Sequence, residues 1–548
     1  MKKKKRRKNV WAEDMGGNST VHKVAGLKVA SLAEGVAAQM MQRPLQECCP
    51  LWSGDGTPCG EATGRGLCRD IQISQAPYGP DQSLDENDVR TRWPRAFYNR
   101  TCTCTGNFYG PDCGECWFGW EDPSCLKRRE LTRRNVLSLS AMDRSRLMAY
   151  INLAKVTVNP TYCILVTPPG PNGSLPIFAN ASYYDVFVWM HYFASQRKDD
   201  STGPDYAHEG AGFLPWHRLF LLSWERALQR VSGDLTLSLP YWDWRDAENC
   251  QVCTDDLFGA YRPSESGSIS SGSIFAAWQI TCTRDAEYAS QGMFCAGKGE
   301  GPLERRPGNH DRFHSLRLPS SQDVNYCLNM PEYDVFPFDR HANGSFRNLL
   351  EGFADPQNGH ASNLSTMHNA VHIFMNGSMS SVGSSANDPL FIVHHTFTDS
   401  IFEVWLFRHN ANEMVLPSQG ATVGHNREDF MVPFFPLVRQ SEGMLPANTF
   451  GYSYDISNNQ SEFWDILFPS LLSSAQQAWP WIICSSIIGS AISLAVCGIV
   501  KRVFQKYRAK HNAPDELQPF LPKEELIYQQ TIQASFIAFA NAKWRISE

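Results

Sequence analysis

The stretch Phe213-Leu-Pro-Trp-His217-Arg-Leu-Phe220 sets one histidine among large apolar residues. His217, Phe220, Leu221 and Trp224 follow the i, i+3, i+4, i+7 spacing of residues that share one face of an α-helix. A helix of a globular protein buries such a face against its neighbours. The stretch therefore predicts a helix that carries a histidine into the core.

Three other segments combine an apolar helical stripe with histidine in the same way. Four such stripes are what a four-helix bundle with a metal site in its core requires. We therefore predict a mainly α fold for this part of the chain. The three further stripes are Tyr184, Phe187, Val188 and His191; His368, Val371, His372 and Met375; and His395, Thr398, Asp399 and Phe402.

Six histidines fall into two sets of three, five on these stripes and one after a loop. A histidine on an apolar stripe is more often a core residue than a ligand, and a single pair at i, i+4 occurs by chance. Six histidines together favour metal binding, because imidazole suits copper, zinc, iron and nickel. Two three-nitrogen sites in one domain predict a dinuclear centre. The sets are His191, His208 and His217, and His368, His372 and His395.

The cysteines and the glycosylation motifs indicate an oxidising compartment. Nine of the 17 cysteines lie between Cys48 and Cys125, a density typical of a small disulfide-stapled module. Zinc binding by Cys113 and Cys116 is the alternative, and the irregular spacing of the other cysteines argues against it. The net charge of −6 argues against nucleic acid as a partner. Glycosylation motifs begin at Asn99, Asn172, Asn180, Asn343, Asn363, Asn376 and Asn459.

One hydrophobic span, residues 481–500, contains no charged residue. At about 1.5 Å per residue it reaches about 30 Å, the thickness of the hydrocarbon core of a bilayer. Five basic residues between Lys501 and Lys510 follow it, which predicts that this side faces the cytoplasm. A buried core helix is the alternative. We expect a single-pass type I membrane protein, although residues 1–46 show no apolar signal-peptide segment.

Three motifs around the histidines resemble the tyrosinase family of type 3 copper proteins. They are the 213–220 stretch with Trp224-Glu225 behind it, Pro240-Tyr-Trp-Asp-Trp-Arg245, and Asn387-Asp-Pro-Leu-Phe391-Ile-Val-His394-His395-Thr-Phe-Thr-Asp399. The resemblance covers about residues 47–530 and implies a four-helix-bundle dicopper domain. The implied segments are an atypical N-terminal segment (1–46), a cysteine-rich EGF-like module (47–127), the dicopper domain (128–462), a stalk (463–480), a transmembrane helix (481–500) and a cytoplasmic tail (501–548).

The resemblance also implies the cofactor and the reaction. The cofactor is two copper ions, CuA and CuB, each held by one set of three histidines, with His394 as a neighbour of the site. Family members use O2 to hydroxylate a phenol in the ortho position and to oxidise the catechol to an o-quinone. We expect L-tyrosine and L-DOPA as substrates and melanin synthesis as the process. The implied ligands are His191, His208 and His217 for CuA, and His368, His372 and His395 for CuB.

Two polar residues are candidates for handling the substrate proton. A phenol, with a pKa of about 10, must lose its proton to bind copper well. Family members use a glutamate and an asparagine that hold a water, and the matching residues here are Glu351 and Asn369. Without the resemblance, Glu351 would be interpreted as a salt-bridge partner and Asn369 as a residue of the helix surface. Asp399 is expected to pair with an arginine.

Vertebrate members of the family include zinc-bearing paralogues, a tyrosinase-related protein and dopachrome tautomerase. Because all share the six histidines, neighbouring residues must separate them. His394 stands where the paralogues have an apolar residue, and Val382 and Ser385 match the phenol-oxidising members. These three residues predict the substrate pocket of a copper monophenolase. The alternatives are one of the paralogues, a catalytically inactive membrane adhesion glycoprotein, or an O2 carrier of the hemocyanin type.

The resemblance further implies the melanosome membrane as the location, reached through the ER and Golgi with the catalytic domain in the lumen. Glu516-Leu-Gln-Pro-Phe520-Leu521 stands where an acidic dileucine signal is expected. Sorting adaptors are therefore expected partners of the tail, and tyrosinase-related proteins are expected partners of the enzyme. Cys48 and Cys163 are expected to lack disulfide partners.

Overall fold

A computed structural model describes residues 49–79, 88–170, 174–196, 203–308 and 317–458. The chain divides into two compact units, residues 1–455 and 456–548. Of the second unit, only residues 456–458 are described. The predicted stalk, transmembrane span and tail, as well as Cys48, lie outside the described residues. Within the described residues, no helix combines the length and apolar character needed to cross a membrane.

Among the described residues, more lie in α-helices than in strands, as predicted for a mainly α fold. The four predicted histidine stripes lie in α2, α3, α7 and α8. The helices are α1 (Ala141–Val156), α2 (Tyr183–Ser195), α3 (Phe213–Ser232), α4 (Asp285–Ser290), α5 (Ser321–Leu328), α6 (Phe346–Glu351), α7 (Met367–Met375), α8 (Leu390–Arg408) and α9 (Asp455–Asn458).

The strands are short and form five two-stranded sheets. Four sheets are antiparallel, namely β1 with β2, β3 with β4, β5 with β6, and β8 with β9, whereas β7 and β10 pair in parallel. The strands are β1 (Gly66–Asp70), β2 (Arg100–Cys104), β3 (Phe108–Tyr109), β4 (Glu115–Cys116), β5 (Trp120–Glu121), β6 (Lys127–Arg128), β7 (Leu131–Arg133), β8 (Val158–Thr167), β9 (Ile177–Ser182) and β10 (Tyr452–Tyr454).

Disulfides replace a large apolar core in the cysteine-rich segment that carries β1 to β6. Cys113 and Cys116 belong to two different disulfides, so the zinc alternative does not hold for this pair. Cys163 is part of none of the disulfides among the described residues. The disulfides of this segment are Cys49–Cys68, Cys59–Cys102, Cys104–Cys113 and Cys116–Cys125, and Cys250–Cys253 and Cys282–Cys295 lie further along the chain.

Local sequence signals fix the ends of the helices that carry histidine. The Ser182 Oγ accepts a hydrogen bond from the Asp185 backbone N–H at 2.9 Å and caps α2. Pro215 lies in the first turn of α3, where a missing backbone N–H costs little. Gly233 ends α3 in the left-handed region, with φ 71°, which glycine adopts without strain.

A buried group of charges ties α3 and α8 to the parallel β7–β10 pair. Asp399 of α8 accepts hydrogen bonds from Arg218 of α3 at 2.6 Å and from Arg133 of β7 at 3.3 Å. Tyr452 and Tyr454 of β10 donate their hydroxyls to the same carboxylate. The expectation that Asp399 pairs with arginine is therefore confirmed. Asp399 lies one turn beyond His395, and Arg218 directly follows His217, so this group joins the two histidine-bearing helices.

Candidate metal centre

The first histidine set converges from two helices and the loop between them. His191 lies on α2, His217 on α3, and His208 in the connecting loop. All three are buried, and one nitrogen of each lies within 4.8 Å of the others. The structure thus brings together three residues that the sequence separates by up to 26 positions (217 minus 191).

The second set converges from α7 and α8. The Nε2 atom of His368 lies 3.0 Å from the Nε2 atoms of both His372 and His395, and the last two are 3.2 Å apart. Metal–nitrogen bonds of about 2.0–2.1 Å in a tetrahedral site separate ligand nitrogens by about 3.3 Å. The three nitrogens therefore have the spacing of one face of a metal tetrahedron.

The hydrogen bonds of the rings leave Nε2 available for a metal. The Nδ1 of His217 lies 2.8 Å from Phe213 O, that of His372 lies 2.9 Å from Met379 O, and that of His208 lies 3.1 Å from Asp205 Oδ1. An oxygen acceptor at Nδ1 favours the tautomer with the proton there, which leaves a lone pair on Nε2. Among the described residues, Nε2 of His217 and both ring nitrogens of His191 have no hydrogen-bond partner. Buried nitrogens without a partner fit a site built for a metal ion.

Burial keeps most of these imidazoles neutral, as metal ligands must be. It lowers the pKa of His372 to about 4 and that of four other ligand candidates well below 6.5. His208 is the exception, because the Asp205 carboxylate outweighs burial and raises its pKa. A carboxylate on the far nitrogen of a ligand histidine is a common arrangement that orients the ring and increases its basicity.

The two histidine sets lie side by side. The rings of His217 and His395, one from each set, stack with centroids 4.5 Å apart. Phe391 covers them, with its ring 3.9 Å from that of His395 and 5.0 Å from that of His191. Two metal ions held by these sets would therefore lie close together among buried rings, which is the arrangement of a dinuclear centre.

Glu351 and Asn369 both lie beside His368 of the second set, Glu351 through its backbone carbonyl O, which is 3.2 Å from His368 Nδ1. Burial raises the pKa of Glu351 to about 7, although Arg347 and His208 oppose this shift. Its Oε2 accepts a hydrogen bond from Arg347 Nη1 at 3.1 Å, and its Oε1 accepts one from the Glu209 backbone N–H at 2.6 Å. Asn369 is half-buried, and its Oδ1 lies 3.0 Å from His368 Nδ1. The side chain of Asn369 therefore contacts a candidate metal ligand and does not simply face solvent.

Three residues, His394, Ser385 and Val382, are expected to distinguish members of the family, and they differ in burial. His394 is buried on α8, and its ring stacks on that of His368 with centroids 4.8 Å apart. Ser385 is buried in the turn before α8 and donates from Oγ to Val382 O at 3.0 Å. Val382 itself is 51% exposed. Ser385 therefore holds a loop that presents Val382 to solvent, whereas His394 packs inside the histidine cluster.

Sequence reasoning missed two residues that position His208. Asp205 contacts His208 through both the ring and the backbone N–H. His425 bridges Asp205 O and the Gly212 backbone N–H, at 2.7 and 2.9 Å. The spacing Asp-x-x-His could have indicated Asp205. No local signal indicates His425, which lies 213 residues from Gly212.

The family model described as the common central domain of tyrosinase matches residues 181–408, a stretch that contains all six histidines. Tyrosinase of cattle (Bos taurus) is 46% identical over 499 residues, 88% of this chain and 93% of the bovine protein. Tyrosinase of chicken (Gallus gallus) is 46% identical over 504 residues, 90% of this chain and 94% of the chicken protein. Human 5,6-dihydroxyindole-2-carboxylic acid oxidase is 36% identical over 500 residues, 88% of this chain and 90% of that protein.

Among solved structures, a polyphenol oxidase (mutant G292N) from Thermothelomyces thermophila is similar with a TM-score of 0.39 at 18% identity, over 59% of this chain and 88% of that one. A functional unit of octopus hemocyanin is similar with a TM-score of 0.34 at 19% identity, over 59% of this chain and 68% of that one. The sequence relatives cover most of both chains at well above 30% identity. This chain belongs to the tyrosinase family.

Proposed function

We propose that this chain hydroxylates L-tyrosine to L-DOPA and oxidises L-DOPA to dopaquinone with O2, the steps that initiate melanin synthesis. Membership of the family makes it a tyrosinase-type oxidoreductase. The observation that carries the proposal is the pair of histidine sets that lie side by side, with every member buried except the half-buried His372. The identity to tyrosinases, 46%, exceeds the 36–37% to dihydroxyindole carboxylic acid oxidases, which favours phenol oxidation over the chemistry of that paralogue.

The cofactor is a type 3 pair of copper ions. We assign His191, His208 and His217 to CuA, since their nitrogens converge and their surroundings keep Nε2 available. We assign the second set, His368, His372 and His395, to CuB on the same grounds. When bound, the two copper ions supply the redox chemistry with O2 that hydroxylates a phenol and oxidises a catechol. The protein fixes the ligand rings and excludes water with apolar residues such as Phe391.

Proton transfer from the substrate is assigned to Glu351 and Asn369. With a pKa near 7, the Glu351 carboxyl can both accept and release a proton at neutral pH. Asn369 Oδ1 is held by His368 Nδ1, so its amide group is oriented at the edge of the CuB set. The two residues would hold a water that takes the proton of the phenol.

The substrate pocket is assigned to Val382, Ser385 and His394. Ser385 holds the loop of Val382 through its hydrogen bond, and a small aliphatic side chain there leaves the entrance open to a phenol ring. The imidazole of His394 adds a polar ring beside that of His368, at a position where paralogues would have an apolar side chain. The expected small-molecule partners are therefore phenols, catechols and O2.

The layout of the chain is part of the proposal. The sequential disulfides Cys104–Cys113 and Cys116–Cys125 support an EGF-like module at residues 47–127, followed by the dicopper domain at 128–462. The hydrophobic residues 481–500 support a transmembrane helix between a stalk (463–480) and a cytoplasmic tail (501–548). This layout fits a type I protein of the melanosome membrane whose tail binds sorting adaptors and whose lumenal part contacts tyrosinase-related proteins.

Metal analysis combined with an L-tyrosine assay tests the proposal. The full chain is expected to bind two copper ions per molecule and to convert L-tyrosine without added L-DOPA. The variant His395→Ala should lose one copper ion and all turnover. The matched control, His341→Ala, removes an exposed histidine and should change neither. Zinc occupancy after copper loading, or turnover of dopachrome alone, would assign the chain to a paralogue instead.

A further inference from the structure

A cavity of about 230 Å³ lies between the cysteine-rich segment and the catalytic helices. Trp93 and Tyr109 from the cysteine-rich side face Trp189 of α2 and Arg226 of α3 across it, and Phe435 from a later loop lines it as well. Its walls are mostly aromatic rings, which form large and rigid apolar surfaces. A cavity of this kind is a candidate binding site for a small molecule.

The cavity is separate from the histidine cluster. Val186, Trp189, Met190 and Phe193 of α2 line it, whereas His191 of the same helix belongs to the first histidine set. None of the six ligand candidates and neither Glu351 nor Asn369 is among its lining residues. A molecule in this cavity would therefore sit behind α2, away from the copper ions.

Two buried donors in the lining have no hydrogen-bond partner among the described residues, Trp93 Nε1 and Arg226 Nη1. Arg226 donates from Nη2 to Cys116 O at 2.8 Å, but its Nη1 lies 3.6 Å from Glu115 Oε2, too far for a hydrogen bond. Buried donors in native proteins nearly always have an acceptor. The two donors in one cavity thus call for an acceptor that a ligand can supply.

The charges of the lining favour an anion. Two guanidinium groups, of Arg226 and Arg230, share the single carboxylate of the lining, that of Glu115, which forms an ion pair with each of them. Burial lowers the pKa of Arg226, although the Glu115 carboxylate opposes this shift. Tyr109 and Tyr162 of the lining add no negative charge at pH 7, since burial raises the pKa of Tyr109 and raises that of Tyr162 to about 12. One further negative charge would balance the site.

We propose that this cavity is a binding site for a small aromatic carboxylate of one or two rings, held by stacking between aromatic walls and by hydrogen bonds from Arg226 and Trp93. The volume suits such a molecule better than a larger cofactor, because drug-sized ligands occupy about 300–1,000 Å³. The ligand joins the cysteine-rich segment to α2 and α3, so it stabilises their contact. The site requires neither copper nor turnover.

Calorimetric titration of the full chain with 2-naphthoate tests the proposal. We expect one equivalent to bind and to raise the melting temperature. The neutral analogue 2-naphthamide has the same rings without the charge and should bind at least tenfold more weakly. The variant Arg226→Met should lose at least tenfold in affinity for 2-naphthoate, whereas the control Arg144→Met, which changes an arginine paired with Asp256 outside the cavity, should not.

The variant His395→Ala separates this cavity from the copper centre, and it should retain the binding of 2-naphthoate. Binding that disappears in His395→Ala but persists in Arg226→Met would move the ligand to the metal centre and overturn the proposal. Equal affinities for 2-naphthoate and 2-naphthamide would also overturn it, even if the Arg226 variant does not fold. Tighter binding of decanoate than of 2-naphthoate would identify an aliphatic site and refute the aromatic assignment.

Discussion

Replacing Asp399 by asparagine is expected to weaken the junction between the two histidine-bearing helices. The Asp399 carboxylate is 4% exposed and accepts hydrogen bonds from Arg218 and Arg133. Both arginine side chains are fully buried. Asparagine keeps the shape of the side chain but removes its charge. Its amide NH₂ group is a hydrogen-bond donor, and it would face arginine and tyrosine groups that are also donors.

The size of the effect follows from the burial of the pair. Removing one partner of a buried ion pair costs about 3–5 kcal/mol in the free energy of unfolding, because the other charge stays buried without compensation. Glu225 and Glu403 still pair with Arg133 and Arg218, at 3.2 and 3.0 Å, so the lower end of this range is expected. At about 2–4 °C per kcal/mol, the melting temperature of Asp399→Asn should fall by roughly 6 °C or more.

Differential scanning calorimetry at a fixed scan rate, on the copper-loaded full chain, measures this fall. The matched control is Asp256→Asn, which removes a carboxylate that pairs with Arg144 at 3.0 Å and is 59% exposed. Exposed pairs contribute about 0–1 kcal/mol, so the control should shift by no more than about 4 °C. Equal shifts in the two variants would refute the reasoning that burial of the Asp399 group stabilises the fold. Copper content gives a second readout, and we expect Asp399→Asn to lose copper more readily in the presence of a chelator.

Three further changes should have distinct effects. Glu351→Gln should lower L-tyrosine hydroxylation by about tenfold to 100-fold or more while copper content stays constant, because it removes a proton acceptor; equal losses with L-tyrosine and L-DOPA in steady-state assays would contradict this role. Asp205→Asn should weaken copper binding by about 10–100-fold in chelator competition, because it removes the carboxylate behind His208. Burial raises the pKa of Asp429 to about 6, so the folded state binds more protons than the unfolded state between about pH 4 and 6. The unfolding free energy should therefore fall as pH rises through this window, by up to about 3 kcal/mol, and Asp429→Asn should flatten this dependence in chemical denaturation.

Sequence patterns predicted the helices of this fold because helical periodicity is a local property. The stripe of His217, Phe220 and Trp224 lies on one face of α3, and the Ser182–Asp185 cap can be recognised from four residues. The structure also gathers the histidines of each set, with His394 beside the second set, while their role as copper ligands stays a prediction that rests on the motifs around them. The motifs indicated the family, and the family implied which histidines share a metal ion, which a single helical stripe does not indicate.

The interactions that position the site could not be predicted, because they join distant segments. Arg133 and Asp399 are 266 residues apart, and Gly212 and His425 are 213 residues apart. Pairs at such separations leave no periodic signal in a single sequence. The aromatic cavity beside α2 could not be predicted for the same reason, since its walls come from the cysteine-rich segment, two helices, a hairpin and a late loop.

The parallel pairing of β7 with β10 has a mechanical consequence. Residues 131–133 and 452–454 run side by side in the same direction. The chain before β7 and the chain after β10 therefore leave from opposite ends of this short ladder. Tension applied between the two ends of the catalytic region loads the ladder in shear, so its hydrogen bonds must break together. The roughly 320 residues between the strands, including every histidine of the metal centre, carry no load until that happens.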